Sequence, residues 1–192
     1  MIELQPPYRS AVPEDASAMA ELVNMAGEGL PLYLWTEMAA PDETPWDIGQ
    51  SRAKRESGAL SYRNAVIQEE DSEVVACLIG YPLEDDRLHR LRAMLVPLQE
   101  LEDLAPGTWY VNVLATYPRH RGRGYGSQLL SIAERIAADS NKSGLSMIVS
   151  DANTGARRLY ERLGYREHAT RPMVKESWET PGSNWVLLLK DV

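Results

Sequence analysis

Three arginines, one histidine and three glycines crowd into residues 117–126, at the head of the stretch YPRHRGRGYGSQLL. The chemistry this composition can do is anion binding. A helix that begins just beyond it would present unpaired N–H groups and the positive end of its macrodipole. Glycine lets backbone approach phosphate oxygens with no Cβ in the way, and Gly122, Gly124 and Gly126 stand at alternate positions. Arg119, Arg121 and Arg123 add charge, with His120 beside them. The spelling excludes two nucleotide loops. A G-x-G-x-x-G fingerprint meets Ser127 when counted from Gly122 and Leu129 when counted from Gly124, and no G-K-[ST] is present. A disordered RNA-binding arginine–glycine segment would be repetitive, whereas this one is single and lies between a strand and a helix pattern. A plain strand-to-helix turn with solvated arginines stays open on the loop alone.

Other residues with chemistry to offer are fewer. In NTGARRLYERLGY, residues 153–165, Asn153 is a good helix N-cap and Tyr160 shares an apolar helical face with Ala156, Leu159 and Leu163. On that pattern alone Tyr160 reads as core. The one cysteine, Cys77, sits in the apolar run EVVACLIGY and reads as a small buried hydrophobe, with no disulfide or multi-cysteine metal site available. His89, His120 and His168 show no metal-ligand spacing, and no G-x-S-x-G elbow occurs. No metal is expected.

The elements that would position these groups follow from periodicity. Residues 8–12 suit a first strand, and Met19, Leu22, Val23 and Ala26 sit at helical spacing before a stop at Gly27. Residues 30–58 read as a folded surface segment ending in a helix over 48–59, with Tyr33, Trp35 and Trp46 either lining a pocket or packing. NAVIQE and EVVACLIGYPL predict a hairpin turning near Asp71, although the Asn-Gly signal of a two-residue loop is missing. Some helix is expected within 87–104. WYVNVLAT is the clearest strand, with Trp109, Val111, Val113 and Ala115 on one face and Tyr110, Asn112, Leu114 and Thr116 on the other. Leu129, Ile132, Ala133, Ile136 and Ala137 mark a helix face, LSMIVS a buried strand, 153–163 a helix stopped by Gly164, and 165–169 and 185–189 two last strands.

Bulk composition sets the bounds. With 192 residues, 44% hydrophobic and 25% charged, the chain fits an ordinary globular protein without disorder. A net charge of −8 argues against nucleic acid and anionic membranes as partners. No apolar run approaches the roughly 20 residues of a membrane span, and the N-terminus lacks a signal-peptide core, so a cytoplasmic location is expected.

The spelling R-x-x-G-x-G, carried by Arg121, Gly124 and Gly126, resembles the pyrophosphate loop of the GNAT superfamily of N-acetyltransferases. The block 153–165 resembles that family's helix motif N-x-x-A-x-x-L-Y-x-x-x-G-[FY], in the expected order and spacing. The resemblance implies an α/β (α+β) fold: a single GNAT-like domain over 1–192 with a mixed, mostly antiparallel twisted sheet of about six or seven strands flanked by helices. It implies an acyl-CoA-binding core near 109–165 and an acceptor-side segment near 27–62. Acetyl-CoA would be the co-substrate, held by Leu114, Ala115, Thr116, Arg121, Gly122, Arg123, Gly124, Tyr125, Gly126, Ser127 and Asn153. The implied reaction is direct acetyl transfer to an amine of a small molecule or peptide. Tyr160 would be the acid toward the leaving thiolate. Relatives often place a Glu or His base where Tyr110 and Asn112 stand here; Asn112 could instead orient a water toward a carboxylate such as Glu37, Glu43 or Glu73. That departure keeps open a non-catalytic acyl-CoA sensor. Self-association through the aromatic segments is also open.

Overall fold

The computed structural model describes residues 2–83 and 92–192. Seven strands form a mixed sheet: β1 (Tyr8–Ser10), β2 (Ala65–Glu70), β3 (Glu73–Pro82), β4 (Trp109–Thr116), β5 (Gly144–Ser150), β6 (Arg166–Pro172) and β7 (Asn184–Asp191). Their order is β1-β2-β3-β4-β5-β7-β6. The β1–β2, β2–β3, β5–β7 and β6–β7 pairs are antiparallel, and β4 runs parallel to β5. The helices are α1 (Ala16–Ala26), α2 (Leu30–Met38), α3 (Pro45–Ala53), α4 (Val96–Glu102), α5 (Tyr125–Asp139) and α6 (Thr154–Arg162). Among the described residues no helix is long and apolar enough to cross a membrane. The mixed, mostly antiparallel sheet expected from sequence is the one found.

By contact the chain divides into two compact units. One comprises Ile2–Gly80 and Asn112–Leu130. Its core is built from Met19, Leu22 and Val23 of α1, Trp35 of α2, Ile67 of β2, Cys77 and Ile79 of β3, and Val113 and Ala115 of β4. α1 earns its place through that spacing rather than through a cap, since Asp15 makes no capping bond to the helix. Gly27 ends α1 with ordinary negative φ. It is glycine because a Cβ would lie 2.5 Å from Pro31 Cδ, while Glu28 (φ 53°) and Gly29 (φ 88°) turn the chain.

The segment 30–58 departs from expectation. LPLYLW is helical, and α3 starts three residues earlier and ends six earlier than the 48–59 reading. Thr44 and Asp47 form a capping box, with Thr44 Oγ1 accepting from Asp47 N–H (3.2 Å) and Asp47 Oδ2 accepting from Thr44 N–H (2.8 Å). Pro45 at the first helical position reinforces that start. Trp35 is buried against Gly49, where a Cβ would meet its ring at 2.6 Å, so it packs rather than lining a pocket. Trp46 is exposed and meets Trp35 edge-on at 6.1 Å. Cys77 is fully buried, and burial pushes its thiol up, as its apolar neighbours suggest.

The β2–β3 hairpin is tighter than its sequence advertises. Glu70 pairs with Glu73, and the two residues between, Asp71 (φ 49°) and Ser72 (φ 65°), are both left-handed. That is the two-residue geometry for which Asn-Gly is the usual spelling. A register shift between Gln68 and Glu69 precedes it.

The second unit holds Tyr81–Val111 and Ser131–Val192. Here β5 and β6 flank β7, and α4 packs on β6 and β7. Of the helix expected within 87–104, a 3-10 turn (Ala93–Leu95) and α4 are present; residues 87–91 lie outside the described ones.

Candidate functional site

β4 delivers the chain to the glycine loop, and its burial follows the alternation in its sequence. Trp109, Val111, Val113 and Ala115 are buried, Asn112 is exposed, and Leu114 and Thr116 are half-buried. Tyr110 departs from the pattern: it is buried and meets Tyr81 edge-on at 5.6 Å. Neither β4 residue at the expected base positions is a carboxylate or an imidazole.

After a 3-10 turn at Pro118–His120, the loop reverses through Gly122 (φ 77°) and Gly124 (φ 85°). A Cβ on either would meet nothing within 4 Å, so these glycines are required by backbone conformation and not by crowding. Gly126 lies inside the first turn of α5. Gln128 N–H donates to the Gly124 carbonyl at 3.1 Å, which opens the helical ladder. The N–H groups of Tyr125, Gly126 and Ser127 precede it and have no intrahelical acceptor. A 15-residue helix with such a start presents a positive dipole end.

The side chains of the loop are more committed than the sequence suggests. Arg123 Nη1 donates to Glu70 Oε2 at 2.9 Å, Tyr125 Oη donates to Glu70 Oε1, and His120 Nδ1 lies 2.9 Å from Glu70 Oε2. Arg119 pairs with Glu73 at 2.7 Å. Arg121 Nε donates to the Thr116 carbonyl at 3.1 Å and has no carboxylate partner among the described residues. Tyr8 Oη donates to Gln128 Oε1 at 2.5 Å, which ties β1 to α5. Glu70 was not a candidate from sequence, because no local pattern marks a carboxylate some fifty residues before the loop that it holds.

Leu114, Ala115, Thr116 and the run from Arg121 to Ser127 are thus contiguous in one unit, while Asn153 and Tyr160 belong to the other. Asn153 caps α6, its Oδ1 accepting from Ala156 N–H at 3.2 Å. Tyr160 is buried, its ring 5.9 Å from that of Tyr165, and burial pushes its hydroxyl up to about 12. Of the relay carboxylates, Glu73 is taken by Arg119, Glu43 accepts from Ala40 N–H at 3.2 Å, and Glu37 is exposed on α2.

A sheet of this order, with a left-handed glycine loop between its central strand and a long helix, defines a class. The model of the acetyltransferase (GNAT) family matches residues 32–165, and the chain belongs to that family. It is 29% identical over 161 residues to a mycothiol acetyltransferase of Acidimicrobium ferrooxidans, a match covering 83% of this chain and 43% of that protein. The chain therefore spans less than half the length of this curated relative. A solved acetyltransferase is 25% identical with a TM-score of 0.69, covering 96% of this chain and 98% of its own. A GNAT family acetyltransferase from Elizabethkingia anophelis, solved with acetyl-CoA bound, shares the fold with a TM-score of 0.51 at 18% identity, over 67% of this chain and 75% of its own.

Proposed function

We propose that this chain moves an acetyl group from acetyl-CoA to a primary amine of a small molecule or peptide. The observation that carries the reading is the loop: two glycines held left-handed with open space beside them, and three N–H groups just after that have no intrahelical acceptor. Those features suit a pyrophosphate, and membership of the acetyltransferase family supports CoA as its source. In this reading residues 121–127 bind the diphosphate, with Arg121 contributing the cation that no carboxylate has claimed among the described residues. Asn153 adds a contact to the CoA arm while capping α6.

Backbone of Leu114, Ala115 and Thr116 aligns the pantetheine arm, and a strand N–H polarises the thioester carbonyl. One such donor is worth about 2.7–4 kcal/mol of barrier in other acyl-transfer sites. Holding amine and thioester together contributes roughly 7–11 kcal/mol. Tyr160 donates its proton to the departing thiolate; a hydroxyl at about 12 is protonated near neutrality and so has that proton to give. An amine of pKa ~10.4 is neutral in about one molecule in a few thousand at pH 7, so Asn112, exposed on β4, orients the water that carries its proton away.

A second reading, a non-catalytic acyl-CoA sensor, is favoured by one observation: β4 offers Asn112 and a buried Tyr110 where a base would stand. Calorimetry with acetyl-CoA, together with thiol release over a panel of aliphatic amines, aminosugars and peptide α-amines, separates the two. Amine-dependent thiol release is expected. Binding without release on any amine would select the sensor, and absence of binding would reject both.

A further inference from the structure

Glu70 ends β2 one residue before the tight turn, and the hairpin decides where its carboxylate goes. The left-handed pair Asp71–Ser72 fixes Glu70 opposite Glu73, and the register shift at Gln68/Glu69 breaks the strand's alternation just before. The carboxylate then meets three side chains of the glycine loop at once. Arg123 donates from Nη1 (2.9 Å to Oε2, 3.3 Å to Oε1), His120 Nδ1 lies at 2.9 Å, and Tyr125 Oη binds Oε1. The Glu70 side chain is one-third exposed and His120 only 12%. The neighbouring Arg119–Glu73 pair is 66% exposed on both sides and is screened by water.

We propose that Glu70 is a positioning residue for the donor: by tying His120, Arg123 and Tyr125 to the end of β2, it holds the loop in the shape that offers its N–H groups to a diphosphate. The inference rests on the acetyl-CoA reading above. Its physical basis is preorganisation. The three tied residues bracket Gly122 and Gly124, so the carboxylate restrains the backbone on both sides of the two left-handed positions. Arg123 gives Nη1 to both oxygens of the Glu70 carboxylate. The Tyr125 hydroxyl first, then Arg123 and His120, hold the Glu70 carboxyl below the usual range, so it stays charged near neutrality.

Simple electrostatics predicts the opposite outcome, since a carboxylate beside an anion site should repel CoA, and this makes the proposal testable. Glu70→Ala and the isosteric Glu70→Gln are compared with wild type by CoA calorimetry and by amide hydrogen exchange of the CoA-free proteins. Positioning predicts that Glu70→Ala weakens CoA binding about tenfold, and that Glu70→Gln, which can still accept from Tyr125, weakens it less. It also predicts faster exchange at 121–128 with β5 and β7 unchanged. Tighter or unchanged CoA binding in both variants overturns the proposal, as does faster exchange spread evenly over the chain, which marks general destabilisation. If wild type itself does not bind CoA, the donor reading falls and takes this inference with it. If wild type binds and both variants bind equally well, only the role of Glu70 falls.

Discussion

Gly124→Ala isolates the backbone conformation of the loop from every other effect. Gly124 has φ 85°, and an added Cβ meets nothing within 4 Å. The substitution therefore brings no clash, removes no contact and changes no charge. What remains is the penalty for an L-residue in the left-handed region, about 1–2 kcal/mol. If the loop keeps its shape, that amount is lost from global stability. If it relaxes, the loss appears in donor affinity, where 1–2 kcal/mol is roughly 5- to 30-fold in Kd. Urea denaturation and CoA calorimetry on the same preparation measure both, and the two losses should sum to the penalty. Gly124→Asn should lose less, because asparagine tolerates this region better. Gly155→Ala is the control: Gly155 lies in α6 with open space and no left-handed φ, so alanine there should stabilise by about 0.5–1 kcal/mol. A Gly124→Ala protein matching wild type in both measurements, or an asparagine variant worse than alanine, would refute the conformational argument.

Tyr160→Phe should lower turnover at least tenfold while CoA affinity stays within about twofold, since a proton donor to the thiolate acts in the transition state; unchanged turnover removes the acid role. Tyr160 and Tyr165 are both buried and both pushed up by burial, so above pH 10 the unfolded chain releases protons that the folded chain keeps. Each of the two tyrosines then leaves stability unaffected below pH 10 and lowers it beyond, by about 1.4 kcal/mol at pH 11, while the buried Cys77 thiol and the Tyr117 hydroxyl, both also pushed up by burial, add to the fall. Urea denaturation at pH 9 and 11 tests this, and Tyr165→Phe should shrink the fall by about 1.4 kcal/mol; an equal fall in that variant contradicts the assignment. Replacing Asp71-Ser72 by Asn-Gly should raise stability by about 1 kcal/mol, because both positions are left-handed. A lower urea midpoint in that variant would mean the turn is not of this type.

The chain from β4 to α6 was legible because its signals are local. Alternation in WYVNVLAT, the glycines at 122 and 124, the cap at Asn153 and the stop at Gly164 each act within a few residues of where they stand. The helices α2 and α3 were harder for a physical reason. LPLYLW is apolar on all sides, so it carries no period, and its helix is settled by packing on α3 and on Gly49. The start of α3 was readable from T-P-W-D, a capping box with proline at the first position, and the apolar pattern around Ile48 obscured it. The hairpin turn escaped because Asp and Ser rarely share left-handed positions; here the flanking strand pairs impose them.

The role of the loop's charge could not be read locally at all, and it alters how the site works. Four basic side chains suggest an electrostatic trap on an acidic chain. In the fold, Glu70 takes Arg123 and His120, and Glu73 takes Arg119, so of these four Arg121 alone has no carboxylate partner among the described residues. Both carboxylates come from the two ends of one tight turn, which couples the loop to the hairpin as a unit. Charge that is already paired contributes little to long-range attraction, and what it contributes instead is shape. Under the proposed reading, recognition of a diphosphate falls mainly to backbone N–H groups, whose direction is set by Gly122 and Gly124 and whose rigidity is supplied from β2. An arginine-rich loop spelled for charge is in this chain built as a scaffold for its own backbone.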